Sequence, residues 1–241
     1  MEMTREFASK VLETVNAGLV SGLGEAKPGS MCVEAAVCYA MGLPHGDSPT
    51  CVGSAVNRYM IRLNDANWPT KKDRTETLRR LSIAQLGSNT IDQKEFARLV
   101  TLGTIRKLVP ITLRAAAKRN PNFADELEAQ SQACENAPDL DAALVIVKEA
   151  RELARKVRAA AAAAAYAYAA AYAAAYAAAY ADAAAAAAAD AAAAAAAYAA
   201  AAAAADAAAA RLSVLQAAAQ IALDALIELK SPGVEFLDLC E

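Results

Sequence analysis

Residues 159–210 read AAAAAAAYAYAAAYAAAYAAAYADAAAAAAADAAAAAAAYAAAAAAADAAAA, 52 positions filled by alanine, six tyrosines and three aspartates alone. Alanine has the highest intrinsic helix propensity because it loses no side-chain entropy and buries no polar group. Around this tract, neither glycine nor proline occurs from 139 to 231, a run of 93 residues. One straight helix of that length would extend about 140 Å. A compact body of this size is only roughly 35–45 Å across. The chain therefore projects a rod or turns without the usual breakers. Aspartate is the natural substitute, since its carboxylate caps a new helix N-terminus. Asp182, Asp190 and Asp206 are the candidate turning points, Asp182 and Asp206 foremost. Three charges in such a tract solvate a lone rod poorly, which favours packing. Tyr168, Tyr172, Tyr176 and Tyr180 follow an i+4 row, the ridge used in the commonest class of helix packing, and are the predicted interaction surface.

Outward from the tract the sequence is also helical. Ser30 is the expected N-cap of a helix through Met41, stopped by Gly42 with Pro44 beyond. Ser48-Pro49 predicts a second start, running to about Asn64. Thr70 caps a third helix that ends at Gly87, and Thr90 with Gln93 forms a capping-box pattern for a fourth, towards Leu108. Pro110 opens a fifth, ending near Asn120-Pro121, and a short helix leads to Pro138. After Arg211, a leucine and isoleucine pattern from Leu212 to Leu229 marks an amphipathic helix stopped by Ser231-Pro232-Gly233, and the tail VEFLDLCE is expected to dock on the body. Long period-two patterns are absent. The reading is an all-α multi-helix bundle with a long or folded-back Ala/Tyr-rich region. Its organisation is an N-terminal helical module over 1–138 and an alanine-rich region over 139–241 packed on it.

Charge is unevenly spread. Residues 1–158 carry 22 basic and 19 acidic side chains, whereas residues 159–241 carry 2 and 8. The two parts can attract each other, but the imbalance is too small to argue for nucleic acid. Alanine is only marginally apolar and the tract carries aspartate, so a membrane span is not expected. Five cysteines, an odd number, and no signal peptide at MEMTREFASK point to a reducing cytosol.

Chemistry-bearing residues cluster between 30 and 80. Cys32, Cys38, His45 and Cys51 are soft and borderline ligands, but C-x5-C-x6-H-x5-C lacks the tight pairs of structural zinc sites, so buried free thiols are expected and no metal is assigned. The loop LPHGDSP places the only histidine, His45, beside Asp47 between two helix ends, where free backbone N–H groups gather. RYMIRLNDANWP groups Arg58, Arg62, Asn64, Asp65 and Trp68, rich in the residue types of binding hot spots. With His45 and Asp47 these five are the candidate ligand-binding set; a turn and a core tryptophan are the plainer alternative. Lys71, Lys72, Arg74, Arg79 and Arg80 lie on one predicted helix, and Arg98, Arg106, Lys107, Arg114, Lys118 and Arg119 on the next two. A phosphate-binding surface is one reading of them, a solvated face the other. No Walker, dinucleotide, EF-hand or nucleophile-elbow pattern occurs, so no cofactor and no catalytic residues are assigned.

The run SMCVEAAVCYAMGLPHGDSPTCVGSAVNRYMIRLNDANW, continued by LRRLSIAQLGS, resembles uncharacterised bacterial and bacteriophage alanine-rich helical proteins, some of them labelled immunity proteins. The resemblance covers most of 30–241 and implies a bacterial or phage cytosolic setting. It carries over no catalytic residue; the matching stretch nominates Cys32, Glu34, His45, Asp47, Cys51, Arg58, Asn64, Asp65 and Trp68. The leading expectation is a non-enzymatic binding protein that recognises another protein, such as a toxin or a defence component. The alternative is a small-ligand or nucleotide-binding protein using the His45 loop with Arg58 and Arg62. An enzyme with Cys51 or Cys32 as nucleophile and His45 as base comes third. An ice-binding role comes last, for want of threonine in the tract. Homo-oligomerisation through the alanine surface stays open under all four.

Overall fold

The structure, a computed structural model, describes residues 3–157, 169, 173, 191, 192, 194, 195 and 208–241. The row Tyr168, Tyr172, Tyr176 and Tyr180 and the turning points Asp182, Asp190 and Asp206 lie outside the described residues. The fold is all-α. Its helices, numbered in chain order among the described residues, are α1 (Arg5–Asn16), α2 (Val33–Met41), α3 (Ser54–Asn64), α4 (Lys71–Ala84), α5 (Gln93–Lys107), α6 (Val109–Arg119), α7 (Ala124–Glu135), α8 (Leu140–Val157) and α9 (Ala208–Glu228). Short 3-10 turns occupy Ser88–Thr90, Pro121–Phe123 and Pro232–Cys240. Among the described residues there are no strands, only two isolated bridges that pair Met31 with Leu19 and Gly24. No described helix is long and apolar enough to cross a membrane.

Several helix boundaries follow from local chemistry. The Thr70 hydroxyl accepts from Asp73 N at 3.0 Å and begins α4, as expected. Gly42 takes a left-handed φ of 70° and closes α2, with Leu43 N reaching back to the Cys38 carbonyl at 3.0 Å. Three expected starts are corrected. The cap of α2 is Cys32, whose sulfur accepts from Ala35 N at 3.3 Å, rather than Ser30. The cap of α5 is Asp92, which accepts from the backbone N–H groups of both Lys94 and Glu95, rather than Thr90. Pro49 opens a turn, not a helix, because Val52 N bonds its carbonyl and α3 begins only at Ser54. The N-terminus of α3 is satisfied from a distance. Gly53 N donates to Ser88 Oγ at 3.1 Å and Ala55 N to Gln93 Oε1 at 3.1 Å. A Cβ on Gly53 would stand 2.2 Å from the Gln93 amide, so glycine is what lets that side chain lie across the helix start.

One continuous core runs from α1 to α9. The central element is α5, which packs against α3, α6, α7, α8 and α9. Its Phe96, fully buried, meets the Tyr59 ring edge-on at 6.1 Å, and the Tyr59 hydroxyl donates to the Ala218 carbonyl of α9 at 2.9 Å. Gly103 marks the crossing of α5 and α9; a Cβ there would come within 2.6 Å of Ile221 Cγ2. The packed pair α6–α7 is tied by the half-exposed Arg114, whose guanidinium engages both Glu128 and Glu135. That pairing raises the Arg114 pKa and lowers those of both carboxyls.

The tail docks as expected, on α4 and α1. The helix α9 ends with Lys230 in the left-handed region, φ 54°, and Ser231 N bonding the Leu226 carbonyl at 2.9 Å. Gly233 N then donates to the Leu86 carbonyl at 2.7 Å, and Arg5 pairs with Asp238. A Cβ on Gly233 would lie 2.0 Å from the Ile83 carbonyl oxygen, so only glycine permits this approach. Gly233→Ala is therefore expected to destabilise the fold by at least about 2 kcal/mol. Lys230→Gly, relieving a left-handed residue that is solvent-exposed, is expected to stabilise it by about 0.5 kcal/mol. Urea denaturation of the two variants measures both; equal midpoints would contradict this account of the tail.

Candidate functional site

The sequence-nominated residues at the end of α3 come together around the segment 17–32. Asn64 is fully buried. Its Oδ1 accepts from Val33 N at 3.3 Å, and its Nδ2 donates to the Val20 carbonyl and to Asp65 Oδ1, both at 2.9 Å. Asp65 Oδ1 also accepts from Gly22 N at 2.7 Å. Arg74, buried in α4, donates through Nε to the Asn64 carbonyl at 2.9 Å and through Nη1 to the Leu19 carbonyl at 3.4 Å. Burial lowers the Arg74 pKa, opposed by the Asp65 charge. Trp68 is buried, with Nε1 donating to the Leu63 carbonyl at 2.8 Å. The polar groups of Asn64, Asp65 and Trp68 are thus engaged with the protein's own backbone. Arg58 and Arg62 stand exposed on α3.

The 42–53 loop meets the same segment from another side. His45 Nε2 lies 3.1 Å from the Gly24 carbonyl, a contact that needs the Nε2–H tautomer. The Asp47 carbonyl accepts from Asn57 Nδ2 at 2.7 Å, and its carboxylate accepts from Ser48 Oγ at 3.3 Å. His45 and Asp65 therefore hold Gly24 and Gly22 of one loop, although they are 20 residues apart in sequence. Among the described residues, no three His, Cys, Asp or Glu side chains converge to hold a metal. All five cysteines are free thiols.

Beneath these loops lies a polar interior. Glu34, in the first turn of α2, is fully buried, and neither carboxyl oxygen has a hydrogen-bond partner. Burial pushes its pKa well above the usual carboxyl range. The Asn57 and Gln85 amides oppose that shift without reaching full hydrogen-bond geometry, and Asp47 adds to it. Gln85, at the end of α4, is itself fully buried with both amide atoms unpartnered. Cys38, one turn beyond Glu34, is pushed up to about 11 by burial, with Glu34 adding. Cys51 is raised by burial too, and lies 3.6 Å from the Met41 sulfur. An unpaired buried carboxyl is costly when ionised, so this cluster sits neutral. The sequence nominated Glu34, Cys38 and Cys51 but passed over Asn57 and Gln85. The one local signal was a lone glutamate inside the apolar helix VEAAVCYAM.

Open concavities flank α4. A groove of about 550 Å³ lies between the end of α1 and one face of α4, lined by Asn16, Lys71, Lys72, Glu76 and Arg79 among others. A smaller groove, about 240 Å³, separates α4 from α9 and carries Asp73, Arg80 and Gln220. The basic row singled out in α4 is thus divided: Arg74 is buried, Arg80 faces the α9 side, and Lys71, Lys72 and Arg79 share the larger groove.

No family model matches the chain, and comparison with curated proteins and with solved structures gives no match either.

A carboxyl whose pKa is higher folded than unfolded binds more protons in the folded state. Its stabilisation is full below the unfolded value, about 4.3, and is lost as pH rises through the folded value. Glu34→Gln removes that loss. The variant should melt above wild type at about pH 8, and the two should converge near about pH 4. Asp47, Cys32, Cys38 and Cys51, the other titratable groups that interact with Glu34, are unchanged in this comparison. Parallel melting curves across that range would contradict a buried neutral carboxyl.

Proposed function

We propose that this protein acts by recognition rather than by chemistry, as a non-enzymatic binding protein whose partner is another protein. The observation that carries the reading is the state of its nucleophile candidates. Burial raises the pKa of all five thiols, to about 11 for Cys32 and Cys38. At neutral pH the thiolate fraction of such a group is on the order of one in ten thousand. A catalytic cysteine instead needs a lowered pKa and a base within reach. The only histidine has Nε2 directed at a backbone carbonyl on an exposed loop. These facts weigh against Cys32 or Cys51 as a nucleophile with His45 as its base.

The partner class comes from the sequence. The alanine-tyrosine tract offers a surface that loses little side-chain entropy on burial, suited to shape-based pairing. The resemblance to bacterial and bacteriophage proteins, some labelled immunity proteins, supports a toxin or a defence component as that partner. Stoichiometric co-purification of one protein with the full chain from bacterial lysate tests this. Recovery of none at a fixed ratio would remove the reading.

Thiol labelling tests the chemical half. In the native protein at about pH 7, Cys32, Cys38, Cys51 and Cys134 should react at least about a hundredfold more slowly than free cysteine, with the half-buried Cys240 fastest. All five should label on denaturation. Native labelling of Cys32 or Cys51 faster than free cysteine would indicate an activated thiol and revive the enzymatic alternative.

A further inference from the structure

We propose that the groove between the end of α1 and α4 is a binding site for a small phosphorylated polyol, such as a sugar phosphate. This goes beyond the protein-partner reading and does not depend on it. Residues 71, 75 and 79 form one i, i+4, i+8 row of α4, and residues 72 and 76 form its neighbour, so both rows face the same concavity. Lys71, Lys72 and Arg79 bring three positive charges against the single carboxylate of Glu76. The volume, about 550 Å³, falls within the range of small-ligand pockets.

The cations are available for an anion. The Lys72–Glu76 pair is exposed and 3.6 Å apart, an interaction of little net strength. Lys71 Nζ has only a 3.5 Å contact with the Gly29 carbonyl. Arg79 is held in place by Nη1, which donates to the Cys240 carbonyl at 3.2 Å, while its Nε is buried without a partner. Arg79 itself lines the groove, so its charge faces an anion bound there. Anchoring one arm of the fork also lowers the ordering cost of binding with the other.

The two walls differ in polarity, which sets the orientation. Lys71 and Lys72 lie in the first turn of α4, at the positive end of that helix. Asn16, Ala17 and Gly18 form the carbonyl-rich, negative end of α1. A phosphate therefore belongs on the α4 wall. Hydroxyl groups belong against the α1 end, with the Asn16 amide and Glu76 carboxylate as hydrogen-bonding groups. Among the described residues no aromatic side chain lines the groove, and none of them stacks a nucleobase there. Thr75 contributes little, since its hydroxyl already donates to the Lys71 carbonyl and accepts from Leu19 N.

Titration calorimetry of the full chain with triose, pentose and hexose phosphates, with glucose and with inorganic phosphate tests the site. At least one sugar phosphate should bind with Kd below about 1 mM, more tightly than inorganic phosphate, and glucose should give no heat. Lys71→Gln with Lys72→Gln should weaken binding at least about tenfold, while Arg80→Gln, which lines the neighbouring α4–α9 groove instead, weakens it by less than about threefold. Glu76→Gln should weaken the sugar phosphate but not inorganic phosphate, a split that general loss of charge would not give. All four substituted positions are solvent-facing, and an unchanged melting temperature in each variant confirms that it folds. No binding by any sugar phosphate, affinity indifferent to the lysine pair, or inorganic phosphate binding as tightly as the sugar phosphates would each overturn the proposal.

Discussion

The buried amide of Asn64 is the contact on which the N-terminal half depends. Segment 17–32 has no helix and carries four glycines in the left-handed region, at 18, 22, 24 and 29. Its backbone polar groups need partners elsewhere, because unpaired groups away from water are costly. Asn64 receives Val33 N from the first turn of α2 and donates to the Val20 carbonyl, while its own carbonyl accepts from Arg74. One residue thus joins the loop, α2, α3 and α4. A positive charge at Arg74 is tolerated there because two carbonyl oxygens and the Asp65 charge surround it.

Glu34 follows from that arrangement. Once the loop is drawn over the start of α2, every face of its first turn is covered, and the glutamate there has no route to water. No cation accompanies it inward. Neutralisation by a proton is then the low-energy solution, and it sets the character of the interior around α2: polar atoms, raised thiols and no net charge. The exposed charges lie outside, along α4, while Arg114 of α6 is engaged by Glu128 and Glu135.

Boundaries set by neighbours in the chain were legible in the sequence. Gly42, Thr70 and Pro110 each act within one helical turn, and the structure keeps all three. Boundaries set from a distance were not. The start of α3 is fixed by Ser88 and Gln93, 35 and 38 residues further on, so the local Ser48-Pro49 signal had nothing to stand against them. Cys32 escaped notice as a cap because sulfur is a weak acceptor, and only its seating beside Ala35 N makes it one. The candidate residues divide the same way. Composition drew attention to Asn64 and Asp65, but their partners at Val20, Gly22 and Val33 are 31 to 44 positions away, a closeness no spacing rule supplies. Gln85, buried, and Asn57, half-buried, gave no signal, since an amide reads like any surface one until the fold closes over it.

Arg79 links the tail of the chain to the shape of its surface. Its guanidinium holds the Cys240 carbonyl on one side and lines the α1–α4 groove on the other. The turn that carries Cys240 is fixed just past the end of α4 through Gly233 and Leu86, and to α1 through Arg5 and Asp238. Groove and tail therefore share a side chain and two helices. Movement of the C-terminal turn would release one arm of Arg79 and let α1 and α4 shift relative to each other, since Asp238 bridges to the first of these helices and Cys240 to the second. A site built in this way is only as rigid as the last ten residues that brace it, and the close backbone approach at Gly233 is what keeps them in place.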